Sequence, residues 1–370
     1  MKFLIISHTP HLLKKEHYFA YAPYVKEMNL WIKNFDSVEI IAPKVTRAVS
    51  KIDMPYKHNN IYLNRVPAIA FTSVKASFKS VIKIPIIFVT LYKACKRADH
   101  IHLRCPGNIG LLGCFVQLLF PKKKKTAKYA GNWDPKAKQP FSYRLQKWIL
   151  SNTFLTRNIQ VLVYGEWPKQ TKNVLPFFTA SYATKNIANI PIRKYDNIIQ
   201  FVYVGTLSKG KRPLYAVKLV EELLKRGVLC RLAIYGEGEE SGGLKEYIKK
   251  ASLESVVTLF GNQPSEVIET AYKKSHFLIL ASKSEGWPKV VAEAMFWGVI
   301  PLATSVSCIP WMMAHGKRGI LLNLDLNNDA QKVTSLLKQG ETINTMAINA
   351  ANWSRQYTLE DFETEIKKLI

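Results

Sequence analysis

Residues 284–298, SEGWPKVVAEAMFWG, decide how the second half of the chain folds. The apolar run 276–280 before them predicts a buried strand, and the segment itself predicts a turn followed by a helix. Pro288 suits the first helical turn, where its missing N–H costs nothing, and Gly298 suits the position just past the helix end. A strand, a turn and a helix N-terminus form an anion site, because free N–H groups and the positive end of the helix dipole point to the space above the strand.

Two glutamates, Glu285 and Glu293, stand out because the predicted helix is otherwise apolar. An acid in such a helix is disfavoured unless it has a partner. Each has an ordinary explanation when taken alone. Glu285 can interact favourably with the positive end of the helix dipole, and Glu293 can extend to the rim of the helix or pair with a lysine. Two acids that flank a turn after a buried strand favour a binding site over two separate structural roles.

The pattern Glu285-x7-Glu293 resembles the signature of retaining, nucleotide-sugar-dependent glycosyltransferases of the GT-B fold, the family 4 type. The resemblance implies that Glu293 holds the ribose hydroxyls of the donor and that Glu285 contacts the transferred sugar. It also implies that the backbone N–H groups of Lys289 and Val290 hold the diphosphate. The family usually has Gly-Phe-Gly after the first Glu, where this chain has GWP. Since the proline cannot donate an N–H, we expect Lys289 to supply charge instead.

Three further segments reinforce the resemblance. Residues 204–213 resemble the family's Gly-Arg-Leu…Lys segment, in which Lys211 matches the lysine, Thr206 replaces the arginine, and Arg212 is expected to compensate. Residues 235–238 and 260–262 resemble the Gly-x-Gly loop beside the nucleotide and the segment that borders the base. The predicted catalytic residues are Glu285, Lys211 and Arg212. The predicted donor-binding residues are Gly205, Thr206, Lys211, Glu237, Asn262, Gly286, Trp287, Lys289, Val290 and Glu293.

The length of 370 residues suits two domains of ordinary size. Strands and helices alternate from 198 to 322, which predicts a parallel sheet covered on both faces. This pattern predicts an α/β protein, and the resemblance implies the GT-B fold, with two Rossmann-like domains whose parallel sheets face each other across a cleft. The expected parts are a basic acceptor domain at 1–185, a linker at 186–197, a donor-binding domain at 198–355, and a helix at 356–370 that crosses back to the first domain.

The first half resembles the family only in outline. Its pattern predicts a strand at 2–7, a loop at 8–15, a helix at 17–35 interrupted by Pro23, a strand at 38–42 and a polar loop at 44–60. The usual glycine pair after the first strand is missing, so acceptor contacts there must come from side chains. The acceptor-side candidates are His8, His11, Asn132, Asp134 and Glu166. The alternatives are two surface histidines for the first pair and an ordinary loop residue for Glu166.

Charge is distributed unevenly along the chain. Residues 1–200 hold 32 Lys and Arg against 9 Asp and Glu, a net of +23 out of the total of +26. Such a one-sided basic field attracts a polyanion, either nucleic acid or an anionic membrane. Residues 71–97 repeat lysine every four positions beside an apolar side, and Pro85 predicts a split into two helices. This segment fits a membrane interface and an ordinary domain helix equally well, and the lysines at 122–125 predict a solvated run.

The resulting hypothesis is a retaining hexosyltransferase that uses a UDP- or GDP-sugar and a glycan acceptor, lipid-linked, in cell-surface polysaccharide biosynthesis. Lys211, Arg212 and backbone amides would stabilise the diphosphate without metal, in keeping with the missing Asp-x-Asp pair. Scattered cysteines indicate a cytoplasmic protein, and the basic half places it on the inner face of the plasma membrane. Two alternatives stay open: a nucleotide-sugar epimerase of the GT-B fold, and a basic nucleic-acid-binding protein. The lysine run lacks the interleaved aromatics typical of the second.

Overall fold

A computed structural model describes residues 1–50, 52–71, 73–190 and 192–370. The chain divides into two compact units: unit 1 comprises Met1–Thr179 and Phe362–Ile370, and unit 2 comprises Ala180–Asp361. The segment 186–197, expected to be a linker, lies inside unit 2. There Arg193 donates to the carbonyl oxygens of Trp297 and Gly298 at 2.7 and 2.6 Å. These carbonyls follow a helix C-terminus, where a cation is favoured, so the arginine fastens the segment to this unit.

Unit 1 is built on a parallel sheet whose apolar strands are buried. Its strands run in the order β10-β9-β8-β7-β1-β4-β6, with a small antiparallel sheet, β2-β3-β5, beside it. In chain order the elements are β1 (Lys2–Ile6), β2 (Leu12–Lys14), β3 (His17–Tyr21), α1 (Ala22–Ile32), β4 (Ser37–Pro43), β5 (Asp53–Pro55), β6 (Ile61–Val66), α2 (Val74–Arg97), β7 (His100–Cys105), α3 (Asn108–Val116), β8 (Lys124–Tyr129), α4 (Phe141–Ser151), β9 (Ile159–Val163) and β10 (Val174–Pro176).

The predicted helix at 17–35 is wrong in its first turns. Residues 17–21 form β3, which pairs antiparallel with β2 and β5, and the helix α1 begins only at Ala22. The aromatic residues Tyr18, Phe19 and Tyr21 favour a strand at 17–21, and Pro23 suits the first helical turn. The expected polar loop at 44–60 contains β5, because the edge of β3 offers its backbone a partner.

The predicted break at Pro85 is also wrong, because α2 continues through it as a single helix. A proline inside a helix costs about 3 kcal/mol through one lost hydrogen bond and a clash. On the inner side of the helix, Ile87 and Leu91 are fully buried in the unit 1 core. Burying each side chain contributes roughly 1.5–3 kcal/mol, so packing offsets the proline.

The sequence predicted that the lysine run 122–125 is solvated, and this is wrong for one of its residues. Lys125 lies in β8 with only 1% of its surface exposed. Its ammonium donates to the carbonyl oxygens of Gln117 and Phe120 at 3.3 and 3.0 Å, and burial lowers its pKa to about 8. Lys125 is buried because of its position in β8, where its side chain points into the layer that packs under the sheet.

Unit 2 shows the predicted alternation. Its parallel sheet has the order β13-β12-β11-β14-β15-β16. The elements are β11 (Ile199–Val204), α5 (Pro213–Lys225), β12 (Cys230–Tyr235), α6 (Ser241–Lys250), β13 (Val257–Gly261), α7 (Ser265–Lys274), β14 (Phe277–Leu280), α8 (Lys289–Phe296), β15 (Ile300–Thr304), α9 (Ile309–Met312), β16 (Ile320–Leu322), α10 (Leu326–Leu337), α11 (Gly340–Ser354) and α12 (Leu359–Lys368), whose later residues belong to unit 1.

Strand order identifies where a ligand site belongs in unit 2. β11 pairs with β12 on one side and with β14 on the other. The chain therefore runs outward from β11 through β12 and β13, and then returns to the opposite side of β11 at β14. The carboxyl ends of β11 and β14 thus form a topological switch point, where open parallel sheets place their ligands. The segments that follow these strands, 205–212 and 281–288, carry the predicted donor-site residues.

Candidate functional site

Two loops meet at the switch point of unit 2. The amide of Lys283 donates to the carbonyl oxygen of Gly210 at 2.8 Å, and the guanidinium of Arg212 donates to the carbonyl oxygen of Ala281 at 3.3 Å. Arg212 adopts a left-handed backbone, φ 50° and ψ 53°, immediately before α5. The loop after β11 and the loop after β14 are therefore joined in one surface.

Lys211 and Glu285 form an ion pair across these loops. The lysine ammonium lies 2.5 Å from Oε1 of the glutamate, whose side chain is only 8% exposed, while the lysine is 31% exposed. A hydrogen bond between two charged groups at this distance is among the stronger polar contacts in a protein. Burial, with the nearby Glu285 carboxylate, raises the pKa of Tyr203. The structure thus brings together two of the three predicted catalytic residues in direct contact.

Glu293 lies on α8 and has partners that the sequence did not indicate. The hydroxyl of Ser181 donates to its Oε1 at 2.5 Å, and the hydroxyl of Tyr272 lies 3.4 Å from its Oε2. Burial and the Glu293 carboxylate raise the pKa of Tyr272 well above its usual value, so this tyrosine stays a donor. These contacts fix the orientation of an acid that would otherwise be out of place in an apolar helix.

Glycine is required where the loops after β11 and β12 touch. A Cβ on Gly236 would lie 1.9 Å from the carbonyl oxygen of Gly205, and one on Gly238 would lie 2.3 Å from that of Leu207. Gly236 also has a φ of +141°, which L side chains rarely adopt. The backbones of the two loops therefore pack directly against each other. The neighbouring Thr206, in the loop after β11, is exposed.

The outer edge of the site is formed by residues after β12 and β13. The Asn262 amide donates to Oε2 of Glu237 at 3.2 Å. Beside them the rings of Tyr235 and Phe260 stack with centroids 4.8 Å apart and planes 10° from parallel. An exposed carboxylate next to a stacked aromatic pair is suited to a flat polar ligand such as a nucleotide base.

The turn between the two glutamates is packed from behind. The carbonyl oxygen of Gly286 accepts from the Ser307 hydroxyl at 3.1 Å, and the buried Trp287 stacks on Trp353 with ring centroids 6.2 Å apart. The Lys289 amide donates to the carbonyl oxygen of Trp287 at 2.8 Å. One of the two amides predicted for phosphate binding is therefore engaged within the turn, while Val290 lies in the first turn of α8.

The acceptor-side histidines differ from each other. His11 is fully buried, so the alternative of a surface histidine is wrong for it. Its Nε2 lies 2.7 Å from the Tyr56 hydroxyl and its Nδ1 lies 2.8 Å from the carbonyl oxygen of Thr9, and burial lowers its pKa to about 4. His8 is exposed but lies over Gly107, where a Cβ would come within 2.4 Å of its Nδ1.

Arg104 is a neighbour of His8 that the sequence did not indicate. At the end of β7 it donates to Oε1 of Glu27 at 2.8 Å, with 12% and 2% of the two side chains exposed. Although part of the His8 surface is exposed, desolvation by the residues packed around its ring and the charge of Arg104 lower its pKa. A basic residue on a strand carries no sequence signal of its own, because only the parallel pairing of β1 with β7 places it beside His8.

The other acceptor candidates lie on turns after β8 and β9. Oδ1 of Asn132 accepts from the amide of Asp134 at 2.9 Å, and Oδ1 of Asp134 accepts from the amide of Lys136 at 2.8 Å. Both are local side-chain turns, which Asn and Asp form readily. Glu166 is exposed on its loop. In the described part of the chain, no group of three or more His, Cys, Asp and Glu is placed to hold a metal ion.

Comparison with known proteins supports a glycosyltransferase. The sequence model of the family described as "Glycosyl transferases group 1" matches residues 185–353, all of which lie in unit 2. The putative colanic acid biosynthesis glycosyltransferase WcaL of Salmonella typhimurium is 26% identical over 174 residues, which is 45% of this chain and 42% of that protein. The GDP-mannose:cellobiosyl-diphosphopolyprenol alpha-mannosyltransferase of Xanthomonas oryzae pv. oryzae is 25% identical over 126 residues, which is 34% of this chain and 33% of that protein. The chain spans less than half the length of these curated relatives.

Solved structures extend the likeness to the whole chain. Anabaena Alr3699/HepE in complex with UDP and glucose matches 100% of this chain and 98% of its own, with a TM-score of 0.70 and 15% sequence identity. Sucrose-phosphate synthase from Thermosynechococcus elongatus matches with the same coverage, a TM-score of 0.69 and 16% identity. The fold is GT-B, as expected from the sequence.

Proposed function

We propose that this protein is a retaining glycosyltransferase that moves a hexose-type sugar from a UDP- or GDP-sugar to a glycan acceptor. The observation that carries the proposal is the placement of Glu285 and Glu293 around the N-terminus of α8, at the switch point of unit 2. Lys211 and Arg212 lie on the facing loop, in contact with Glu285 and with the carbonyl oxygen of Ala281. A carboxylate for hydroxyls and cations for phosphates are the groups that a sugar diphosphate requires.

Glu293 is proposed to bind the ribose hydroxyls of the donor. A carboxylate accepts hydrogen bonds through two oxygens, which matches the two neighbouring hydroxyls of a ribose. Ser181 and Tyr272 hold the carboxylate in place before the donor arrives, so less conformational freedom is lost on binding. Glu237 and Asn262 are proposed to lie beside the base, next to the stacked rings of Tyr235 and Phe260.

The diphosphate is proposed to lie between Lys211, Arg212 and the first turn of α8. Since the Lys289 amide is bonded to Trp287, the Val290 amide and the Lys289 ammonium are the groups that α8 contributes. The helix dipole adds a fixed positive potential there. Gly205 and Thr206 let the backbone of the opposite loop approach the phosphates closely.

Transfer is proposed to proceed on one face of the sugar. The bond between the anomeric carbon and the diphosphate oxygen breaks, and the acceptor oxygen bonds to the same carbon. The acceptor hydroxyl proton passes to the departing phosphate oxygen, so the sequence of bond changes needs no separate base. Lys211 and Arg212 stabilise the charge that develops on the diphosphate, and Glu285 orients the sugar through its hydroxyls.

Unit 1 is proposed to take an acceptor linked to a lipid, on the inner face of the plasma membrane. The name of the Xanthomonas relative includes a diphosphopolyprenol, and the name of the Salmonella relative places it in colanic acid biosynthesis. The net charge of +23 on residues 1–200 favours such an anionic surface. His8, with Arg104 beside it, and Asn132, Asp134 and Glu166 at neighbouring strand ends are the proposed acceptor contacts.

A panel of UDP-, GDP- and ADP-sugars tests the proposal by thermal shift. The matching donor is expected to raise the unfolding temperature by mass action, and E293Q is expected to lose that shift while its own unfolding temperature stays near wild type. With donor and a glycan acceptor, proton NMR of the product is expected to show the anomeric configuration of the donor. Donor turnover at full rate without acceptor would indicate an epimerase, and the absence of any sugar-nucleotide shift would contradict the proposal.

A further inference from the structure

The helix α2 of unit 1 turns an apolar side toward solvent. Phe78, Ile82 and Ile86 are 70%, 62% and 65% exposed, and Val81 and Val89 are at least half exposed. These five side chains, here called the apolar face, recur at intervals of three and four residues and so share one side of the helix. A surface helix ordinarily presents polar residues on that side, because its apolar stripe is used against the core.

The core contact of α2 is already made by its other side. Ile87, Leu91 and Ala94 are fully buried in the unit 1 core. The helix is therefore apolar on two sides, and only one of them is used within unit 1. Packing inside the unit does not explain the second side, since single exposed apolar residues are common but a continuous exposed row is not.

The helices packed in succession from α2 also carry exposed aromatic residues. α2 packs beside α3, and α3 packs beside α4. Tyr92 of α2 contacts Phe120 after α3, with ring centroids 5.3 Å apart. Phe115 of α3 and Trp148 of α4 are 41% and 56% exposed. An exposed tryptophan with an apolar body and a polar N–H suits the boundary between water and acyl chains.

Basic residues border the apolar face along the same helix. Lys75, Lys79, Lys93 and Lys96 are exposed, and Lys83 is half-buried with its ammonium 3.3 Å from the carbonyl oxygen of Ala68. Lysine stems can lie along apolar surface while their ammonium groups reach an anionic plane. An apolar strip edged by lysines is the pattern of a helix that lies in a membrane interface.

Charge distinguishes between two possible partners for the apolar face, a second copy of the chain and an anionic bilayer. A second copy would bring the same lysines together, on chains that each carry a net charge of +23 over residues 1–200. An anionic bilayer satisfies both features, because it accepts apolar side chains and attracts the lysines. Within the described residues, no helix is long and apolar enough to cross a bilayer, so α2 would lie along the membrane plane.

We propose that α2 inserts its apolar face into the interface of an anionic phospholipid bilayer, with its lysines at the headgroups. This inference rests on the membrane partner in the proposed function and deepens it by naming the surface and the mode of contact. It requires no lipid-specific pocket, only apolar side chains at the depth of the acyl-chain boundary and a negative surface. Donor binding at unit 2 does not depend on it.

Vesicle flotation of the full chain tests the inference. The protein is expected to float with phosphatidylcholine vesicles that contain phosphatidylglycerol and to stay in solution with phosphatidylcholine alone. The I82Q/I86Q variant is expected to partition at least about tenfold less, since two exposed apolar side chains no longer enter the interface. The K75Q/K79Q/K93Q variant is expected to lose about fivefold per lysine, and the loss is expected to shrink at high salt.

Matched controls come from exposed positions in unit 2. L229Q/V267Q removes two exposed apolar side chains, and K245Q/K249Q/K250Q removes three exposed lysines. Both are expected to float like wild type. All variants are compared for unfolding temperature and for their thermal shift with the matching nucleotide-sugar, so loss of vesicle binding with intact donor binding is a membrane effect.

Three results would overturn the inference. Equal flotation of wild type and I82Q/I86Q would show that the apolar face does not enter the bilayer and that surface electrostatics alone explains the binding. Equal flotation with and without phosphatidylglycerol would remove the role of the lysines. Self-association in light scattering that disappears in I82Q/I86Q would assign the apolar face to a second copy. A failure of flotation with intact nucleotide-sugar binding contradicts this inference alone, whereas the loss of nucleotide-sugar binding by wild type contradicts the proposed function.

Discussion

Replacing Glu285 by glutamine is expected to strengthen the binding of a nucleoside diphosphate while it severely slows transfer. In the structure, the Lys211 ammonium is held by the Glu285 carboxylate at 2.5 Å, and the carboxylate is only 8% exposed. If Lys211 stabilises the diphosphate, donor or product must share or displace this contact. The carboxylate also repels the diphosphate charge. E285Q keeps the size of the side chain, removes the repulsion, and leaves the ammonium at most a weaker hydrogen bond to a neutral amide oxygen.

The size of the effect follows from the geometry of the pair. A hydrogen bond between charged groups contributes roughly 1.5–3 kcal/mol net. Lys211 is 31% exposed, so solvent screening favours the lower end of that range. About 1.5 kcal/mol corresponds to about a tenfold change in affinity. We expect the Kd of E285Q for UDP or GDP, whichever the protein binds, to fall about tenfold.

Isothermal titration with the nucleoside diphosphate measures this directly. K211M is expected to weaken binding, because it removes a cation from the phosphates. In the double variant K211M/E285Q, the gain from E285Q is expected to be largely lost, since no lysine is left to be released. The four proteins form a double-mutant cycle whose coupling energy isolates the pair.

The opposite result for E285Q would contradict the proposed competition between Glu285 and the diphosphate for Lys211. If E285Q binds the nucleoside diphosphate more weakly than wild type with an unchanged unfolding temperature, Glu285 itself contacts the nucleotide. If the double variant retains the full gain of E285Q, Lys211 does not reach the phosphates and the gain comes only from the removed negative charge.

Three further predictions concern other parts of the chain. S181A is expected to raise the KM for donor about tenfold with kcat unchanged, measured by initial rates, because it removes the 2.5 Å bond that orients Glu293. The folded pKa of His11 is about 4 against an ordinary value of 6.5, so its protonation opposes folding as pH falls from 6.5 to 4, by up to about 3 kcal/mol. Urea unfolding at several pH values should show this loss, and H11N should reduce it. G236A is expected to lower the free energy of unfolding, measured with urea, by about 3 kcal/mol or more, because the new Cβ would lie 1.9 Å from the carbonyl oxygen of Gly205. The control is G242A in α6, whose Cβ would have nothing within 4 Å. It is expected to raise the free energy of unfolding by roughly 0.5–1 kcal/mol.

The architecture of unit 2 could be predicted because its signals are local. The apolar run, the turn and the helix at 276–298 correspond to β14 and α8, with Pro288 as the N-cap residue. The order and spacing of these residues along the chain are enough to predict the strand, the turn and the helix. The glycines after β11 and β12 are also a local signal, because a glycine at the end of a strand indicates a close approach of backbone.

The contacts that complete the site could not be predicted in the same way. Ser181 is 112 residues from Glu293 and joins it only after the chain has folded. Arg104 lies beside His8 only because β7 pairs with β1. In α2, Pro85 signals a break, but burial of Ile87 and Leu91 outweighs the signal. These outcomes depend on tertiary packing, which overrides local preference.

The segment 326–354 shows a further limit of sequence reasoning. It forms α10 and α11, which were not predicted, because many asparagine and threonine residues weaken its helical pattern. The start of α10 is marked by Asp325, whose side chain accepts from the amide of Asn328 at 3.0 Å. The cap is visible in the sequence, but an aspartate with this role is common enough to be overlooked.

Initial rates of sugar transfer from the matching nucleotide-sugar test whether Glu285 and Glu293 hold the donor. Wild type, E285Q, E293Q and the surface control E246Q are compared with acceptor in excess. E285Q is expected to lose most of its kcat, E293Q to show a raised KM for donor, and E246Q to equal wild type. Unchanged kcat/KM for both E285Q and E293Q would contradict the claim that these two carboxylates hold an activated sugar.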